Sequence, residues 1–265
     1  MDLKAENERT EVIAFWDKRA DFYDKYRPDY PEELVAVVIN KADLIAGSKV
    51  LEIGAGSGKA TVQFADFGFE MLCIEPASDS AKKGAEKLRD KNIEFIVSTF
   101  EDYAAPPEYF DAIIAGQAFH WIIKEIGYRI SKQTGFEKCA NTLKKGGYLA
   151  PFWHLNLFRR DVDLDRELWA MINKYSGWVS CMLEEDYPKR MENITANITG
   201  SGLFSKPEIM HFYKEINFTA DEYYNYMLTG SNVEKQCHEE LTQLAEKYNG
   251  IKRRFTYELY ITQKI

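Results

Sequence analysis

The chain has 265 residues, 45% of them hydrophobic and 29% charged, which excludes a disordered, collagen-like or mucin-like protein and supplies material for a large core. Forty-two acidic against 34 basic side chains leave a net charge of −8. This is opposite in sign to the footprint of a duplex binder, so neither nucleic acid nor an anionic membrane is expected as a partner.

The longest unbroken apolar run, residues 34–39, is six long, far short of the roughly 18 residues that span a bilayer. The amino terminus lacks the basic, apolar and small-residue segments of a secretory signal, so a cytoplasmic location is the expectation. The cysteines, Cys73, Cys139, Cys181 and Cys237, are scattered with no paired spacing, and neither a metal site nor a disulfide framework is expected.

In chain order, helical spacing runs up to Tyr26 and stops at Arg27-Pro28, because proline disfavours the helical region for the residue before it. A second helix follows Pro31. The pattern then alternates: a strand over 49–53, a glycine cluster, a helix over 60–67, a strand over 70–74, a helix over 80–90, and strands over 93–97 and 110–115. A further helix is predicted to end at Leu143-Lys144-Lys145-Gly146-Gly147, with glycine as its C-cap. A strand over 148–153 follows.

Residues 155–199 break the rhythm, with Leu164, Leu168, Trp169, Ile172 and Tyr175 at helical spacing, and read as an inserted helical cap covering a substrate. The sheet resumes with a strand over 209–216, a helix over 220–228, a longer helix from Val233 and a period-two strand over 255–261, expected to be antiparallel. Short apolar runs separated by helices mean crossover units and a mostly parallel sheet covered on both faces. The expectation is a doubly wound α/β core of seven strands, formed by 1–154 and 200–265, with the helices of 1–45 helping to cover the site and 155–199 as the cap.

The most informative stretch is Val50-Leu51-Glu52-Ile53-Gly54-Ala55-Gly56-Ser57-Gly58-Lys59, a strand entering glycines and then a helix. Glycine allows positive φ and close backbone approach to a ligand. A P-loop fails, because Ile53 and Ala60 stand where glycine and Ser or Thr are required. A dinucleotide loop is weakened, because Lys59 replaces its third glycine. What remains is acid-x-Gly-x-Gly-x-Gly, with Glu75 closing the next strand, where a carboxylate accepts from the two hydroxyls of a ribose. A tight loop beside a solvated turn residue is the plain alternative.

This stretch resembles the class I S-adenosylmethionine-dependent methyltransferases. More narrowly, the chain is similar to the type 11 small-molecule branch that includes trans-aconitate methyltransferase-like proteins, through Tyr26-Arg27-Pro28-Asp29-Tyr30-Pro31, Glu75-Pro76-Ala77, Gln117-Ala118-Phe119-His120-Trp121 and Leu143-Lys144-Lys145-Gly146-Gly147. The resemblance implies S-adenosyl-L-methionine as cofactor, with Glu52, Gly54, Ala55, Gly56 and Gly58 at its methionine and ribose, and Glu75 and Pro76 at the ribose. It implies Thr99, Phe100 and Glu101 beside adenine, Gln117 and Ala118 beside the sulfonium, and Tyr26 and Arg27 reaching the cofactor carboxylate. The Asn-Pro-Pro-aromatic motif of enzymes that methylate exocyclic base amines or glutamine amides is replaced by Ala115-Gly116-Gln117-Ala118, which disfavours those substrates.

The acceptor is expected to be a small molecule, methylated on oxygen, nitrogen or carboxylate by in-line displacement, with no metal. His120 is read either as a base toward the acceptor or as a residue shaping the pocket; both stay open. Trp121, Trp153, His154 and Trp178 are the candidate acceptor-binding residues. A non-catalytic cofactor binder and a nicotinamide oxidoreductase are the competing classes, and nothing in the sequence sets the oligomeric state.

Overall fold

Strands form where the sequence places its short apolar runs: β1 (Lys49–Ile53), β2 (Glu70–Glu75), β3 (Ile93–Val97), β4 (Phe110–Gly116), β5 (Leu143–Phe158), β6 (Cys181–Leu183), β7 (Glu208–Phe218) and β8 (Ile251–Gln263). The structure is a computed structural model and describes residues 3–123, 132–175 and 181–265. Seven strands lie in the order β3-β2-β1-β4-β5-β8-β7, and β6 pairs with β5 off this path. β1 to β5 are mutually parallel, whereas β8 is antiparallel to both β5 and β7.

The helices are α1 (Leu3–Asp17), α2 (Ala20–Tyr26), α3 (Glu32–Lys41), α4 (Thr61–Phe64), α5 (Ser78–Lys87), α6 (His120–Ile123), α7 (Lys132–Thr142), α8 (Asp163–Tyr175), α9 (Tyr187–Gly200), α10 (Ala220–Leu228) and α11 (Gln236–Tyr248). Because successive strand residues point to opposite faces, Val50, Ala112, Ile114, Ala150 and Phe152 enter one core layer. Leu51, Ile53, Ile113, Ala115 and Leu149 enter the other. The first layer is closed by Leu34 and Val38 of α3, Leu168 of α8, Tyr223 of α10 and Leu241 of α11. The second is closed by Phe136 and Cys139 of α7 and Ile194 and Ile198 of α9. Helix α10 begins at a capping box, in which Thr219 Oγ1 accepts from Glu222 N at 3.2 Å and Glu222 Oε2 from Thr219 N at 2.8 Å, satisfying two donors at once.

Two stretches depart from the reading by periodicity. Helix α7 ends at Thr142, and residues 143–147 already belong to β5: Leu143 pairs with Phe110, and the register shifts before Ala112 pairs with Tyr148. Gly146, at φ +75°, serves this irregularity and not a helix cap. Residues 155–199 do not form a separate helical layer. β5 runs on to Phe158, β6 adds a strand, α8 packs on one face of the sheet and α9 on the other.

The polar residues of β5 hid this extension. Asn156 falls in the expected helical cap, yet it is a buried strand residue: its Oδ1 accepts from Arg253 Nε at 2.9 Å, and its Nδ2 donates to Tyr223 OH at 2.9 Å. β8 occupies one edge of β5 and β4 the other, so β6, pairing with residues 156–158 past the end of β4, lies above the carboxyl end of β4.

Candidate functional site

Strand order reverses at β1, between β2 and β4, and parallel sheets of this kind bind ligands in the crevice outside the carboxyl ends at such a point. A cavity of about 740 Å³ opens there, within the 300–1,000 Å³ range of small-molecule sites.

Its floor is the turn from β1 into α4. Gly54, Gly56 and Gly58 take φ of +69°, +57° and +79°, a region that only glycine enters freely. A Cβ on Gly54 would stand 2.4 Å from Ala118 Cβ, whereas Gly56 borders open space. Gly54 N donates to Ile74 O at 2.8 Å. Glu75 completes the turn: Oε2 accepts from Gly56 N and Oε1 from Ala77 N, each at 2.8 Å. A carboxylate offers about four lone-pair sites, so two remain for a ligand's hydroxyls. Burial pushes the Glu75 carboxyl up to about 7, against the two backbone N–H groups, which lower it.

Glu52 lies beneath the loop, 1% exposed. Its Oε2 accepts from Thr61 Oγ1 at 2.7 Å, which ties β1 to α4, and burial pushes its carboxyl up to about 8.

Arg27 enters from the end of α2. It is 6% exposed, its Nε donates to Thr229 Oγ1 and its Nη1 to His154 Nε2 at 3.0 Å. The guanidinium lies 5.2 Å from the Tyr23 ring centre and 5.0 Å from that of Tyr226. Among the described residues no carboxylate pairs with it, which is unusual for a buried charge. Arginine can only donate, so His154 Nε2 accepts and the ring proton sits on Nδ1, which is buried without a partner among the described residues.

At the end of β4, Gln117 takes φ +60°, a strained backbone for a non-glycine residue. Gln117 N donates to Phe152 O at 2.9 Å and Nε2 to His154 O at 2.8 Å. At the other end, Thr99 Oγ1 and Arg9 Nη2 both donate to Asp102 Oδ2, at 2.7 and 2.9 Å, beside buried Phe100. Trp153, Trp121 and half-buried His120 line the far wall. Trp153 Nε1 donates to His120 Nδ1 at 3.2 Å. Burial, reinforced by the positive charge of Arg190, lowers His120 to about 4, so the ring is neutral near pH 7.

Of the residues expected from sequence, Arg27, Glu52, Gly54, Ala55, Gly56, Glu75, Pro76, Thr99, Phe100, Glu101, Gln117, Ala118, His120, Trp121, Trp153 and His154 line the cavity. Two do not. Tyr26 turns away, its ring 5.4 Å from Phe22 and beneath Lys25 Nζ, because on α2 it lies three positions past Tyr23, on the Phe22 side of the helix, while Arg27 already leaves the helix as its extended cap. Gly58 faces Leu88 and Phe95 beneath the loop, where a Cβ would meet both at 3.3 Å. Trp178 lies outside the described residues.

Sequence reading missed Trp16, Tyr23, Tyr30, Met182 and Arg190, all of which line the cavity. A signal for some of them was present. Arg9, Ile13, Trp16, Ala20, Tyr23 and Arg27 recur every three or four residues, a helical spacing carried across the turn between α1 and α2, and all six line the cavity. Polar links hold this stripe over the floor: Asp17 Oδ1 accepts from Asp79 N and Ser80 N at 3.0 Å each, Asp24 pairs with Lys87 and accepts from Ser57 Oγ, and Lys59 pairs with Asp29.

Comparison with known proteins agrees with this geometry. Residues 51–150 match a methyltransferase domain of type 11. An uncharacterised methyltransferase of Geobacillus sp. (strain WCH70) is 31% identical over 167 residues, 59% of this chain and 76% of that protein. The protein CRG1 of Saccharomyces cerevisiae, described as a probable S-adenosylmethionine-dependent methyltransferase, is 32% identical over 136 residues, 49% of this chain and 43% of that one. The crystal structure of the YcgJ protein from Bacillus subtilis superposes with a TM-score of 0.54 at 15% identity, over 89% of this chain and 98% of that one. The chain belongs to the class I S-adenosylmethionine-dependent methyltransferases. Its cofactor is S-adenosyl-L-methionine, which supplies an electrophilic methyl group on a sulfonium.

Proposed function

We propose that the chain methylates a small-molecule acceptor, on oxygen, nitrogen or carboxylate, and belongs with the type 11 proteins that resemble trans-aconitate methyltransferase. One observation carries the reading. The cavity is overhung by the stripe on α1 and α2 from one side and by Met182 of β6 and Arg190 of α9 from the other, a chamber suited to a metabolite and not to a polymer. The segment 155–199 thus serves as cover through β6 and the start of α9.

The chain's own groups fit the cofactor. The glycine turn gives close backbone approach, Glu75 has lone pairs left for two ribose hydroxyls, and Arg27 is a buried cation awaiting an anion of the methionine carboxylate kind. Glu52 supports the turn from below. Thr99, Phe100 and Glu101 border the adenine end, and Gln117 and Ala118 the reacting end, where much of the protein's task is alignment and exclusion of water.

The test is label transfer. The full chain, incubated with methyl-labelled S-adenosylmethionine and a cell extract, is expected to place label in the low-molecular-mass fraction. Label confined to protein or nucleic acid would refute the small-molecule reading, and failure to bind S-adenosylhomocysteine in calorimetry would refute the assigned roles.

A further inference from the structure

His120 invites assignment as a base, but its hydrogen bonding argues otherwise. An indole N–H can only donate, so the contact from Trp153 Nε1 at 3.2 Å occupies the lone pair of His120 Nδ1. A neutral imidazole in this position carries its proton on Nε2, and Nε2 has no partner among the described residues while the side chain lines the cavity. His120 therefore presents a donor to the cavity.

Beside it stands Arg190, its guanidinium 5.2 Å from the Trp153 ring centre. Arg190 Nε and Nη2 both donate to Glu258 Oε1, at 2.9 and 2.8 Å. Glu258 is fully buried and also accepts from Tyr260 OH at 3.2 Å. Two donors on one edge of the guanidinium are thus pinned to a carboxylate behind it, while Arg190 lines the cavity and its Nη1 has no partner among the described residues. Trp153 sits between the two groups as a common prop.

We propose that His120 and Arg190 together form the acceptor-recognition wall, His120 donating Nε2–H and Arg190 its outward guanidinium edge to an oxyanion carried by the methyl acceptor. His120 is then a specificity residue that removes no proton. This deepens the small-molecule reading and rests on it. Where the oxyanion is itself the methylated group, its oxygen lone pair forms the new C–O bond, the electrons of the breaking C–S bond stay with sulfur, and no proton is released, so no base is needed.

The experiment uses the full chain loaded with S-adenosylhomocysteine and calorimetric titration with acetate, benzoate and succinate against their amides. The acids are expected to bind at least about tenfold more tightly than the amides, the scale of hydrogen bonds to a charged group. His120→Asn keeps a donor and should retain most of this preference, whereas His120→Phe should lose it. Because Arg190→Met alone strands the buried Glu258, the charge is removed as the pair Arg190→Met with Glu258→Gln, which should abolish the preference and leave S-adenosylhomocysteine affinity unchanged. Equal binding of acids and amides, no binding of any acid up to millimolar concentration, or loss of the preference in both His120 variants would overturn the proposal. Failure of S-adenosylhomocysteine to load would instead strike at the cofactor roles above.

Discussion

Replacing Glu75 by Gln keeps the shape of the side chain and changes what it can accept. In the native turn each carboxylate oxygen takes one backbone N–H, from Gly56 and from Ala77, at 2.8 Å. The amide nitrogen of the substituted side chain has no lone pair to offer, so one of those N–H groups loses its acceptor in a nearly buried place, at a cost of about 1–3 kcal/mol in folding stability. One ribose hydroxyl loses its acceptor as well. A hydrogen bond to a charged group is worth about 1.5–3 kcal/mol, which lowers S-adenosylhomocysteine affinity by roughly 10- to 100-fold. The pH dependence separates this from a general loosening of the loop. Burial holds the free carboxyl at about 7, and ligand hydroxyls favour its ionised form, so lowering the pH through 7 protonates the group that binding needs. Native affinity should fall by up to about tenfold per pH unit below that point, and Glu75→Gln should show no such fall. Calorimetric titration at several pH values on either side of 7, with a thermal melt of each protein, checks both effects. A variant that binds within about twofold of the native chain and keeps its pH slope would refute the assignment of Glu75.

Three further outcomes follow from the same geometry. Arg27→Met should weaken S-adenosylmethionine binding by about 10- to 100-fold but leave 5′-methylthioadenosine, which lacks the carboxylate, unaffected; equal losses for both ligands would mean that Arg27 only shapes the pocket. Glu52, pushed up from 4.5 to about 8 by burial, keeps its proton in the folded chain while the unfolded chain loses it. Its contribution to stability is full below 4.5 and lost as the pH rises through 8. Glu52→Gln should flatten that decline and stabilise the protein by on the order of 3 kcal/mol at pH 7, measured by urea unfolding; an unchanged slope would place the titration elsewhere. Gly54→Ala should destabilise by about 1–3 kcal/mol more than Gly202→Ala, since both glycines lie at φ +69° but only at Gly54 does the new Cβ meet an atom within 4 Å. Equal thermal losses at the two positions would show that backbone strain alone decides.

Much of the molecule was written in local pattern. The first three strands and the glycine turn were legible because an apolar run bounded by glycines needs only its own period and breakers to declare itself. Glu75 was legible for the same reason, as the residue ending the second strand. The full length of β5 was not. His154 and Asn156 break the apolar run that marks a strand, and only Arg27, Tyr223 and Arg253, distant in sequence, satisfy them inside the sheet.

The sequence by itself determined the doubly wound core, the glycine turn and the acid that ends the next strand, because those features depend on neighbours a few residues apart. Only the tertiary structure decided that Tyr26 faces outward while Trp16 and Tyr23 face inward, that 155–199 is shared between both sheet faces, and that His120 Nδ1 accepts from Trp153 Nε1. The physical reason lies in contact range. Protonation, tautomer and orientation are set by partners 33 to 202 residues away in the chain, and no window of local periodicity contains them.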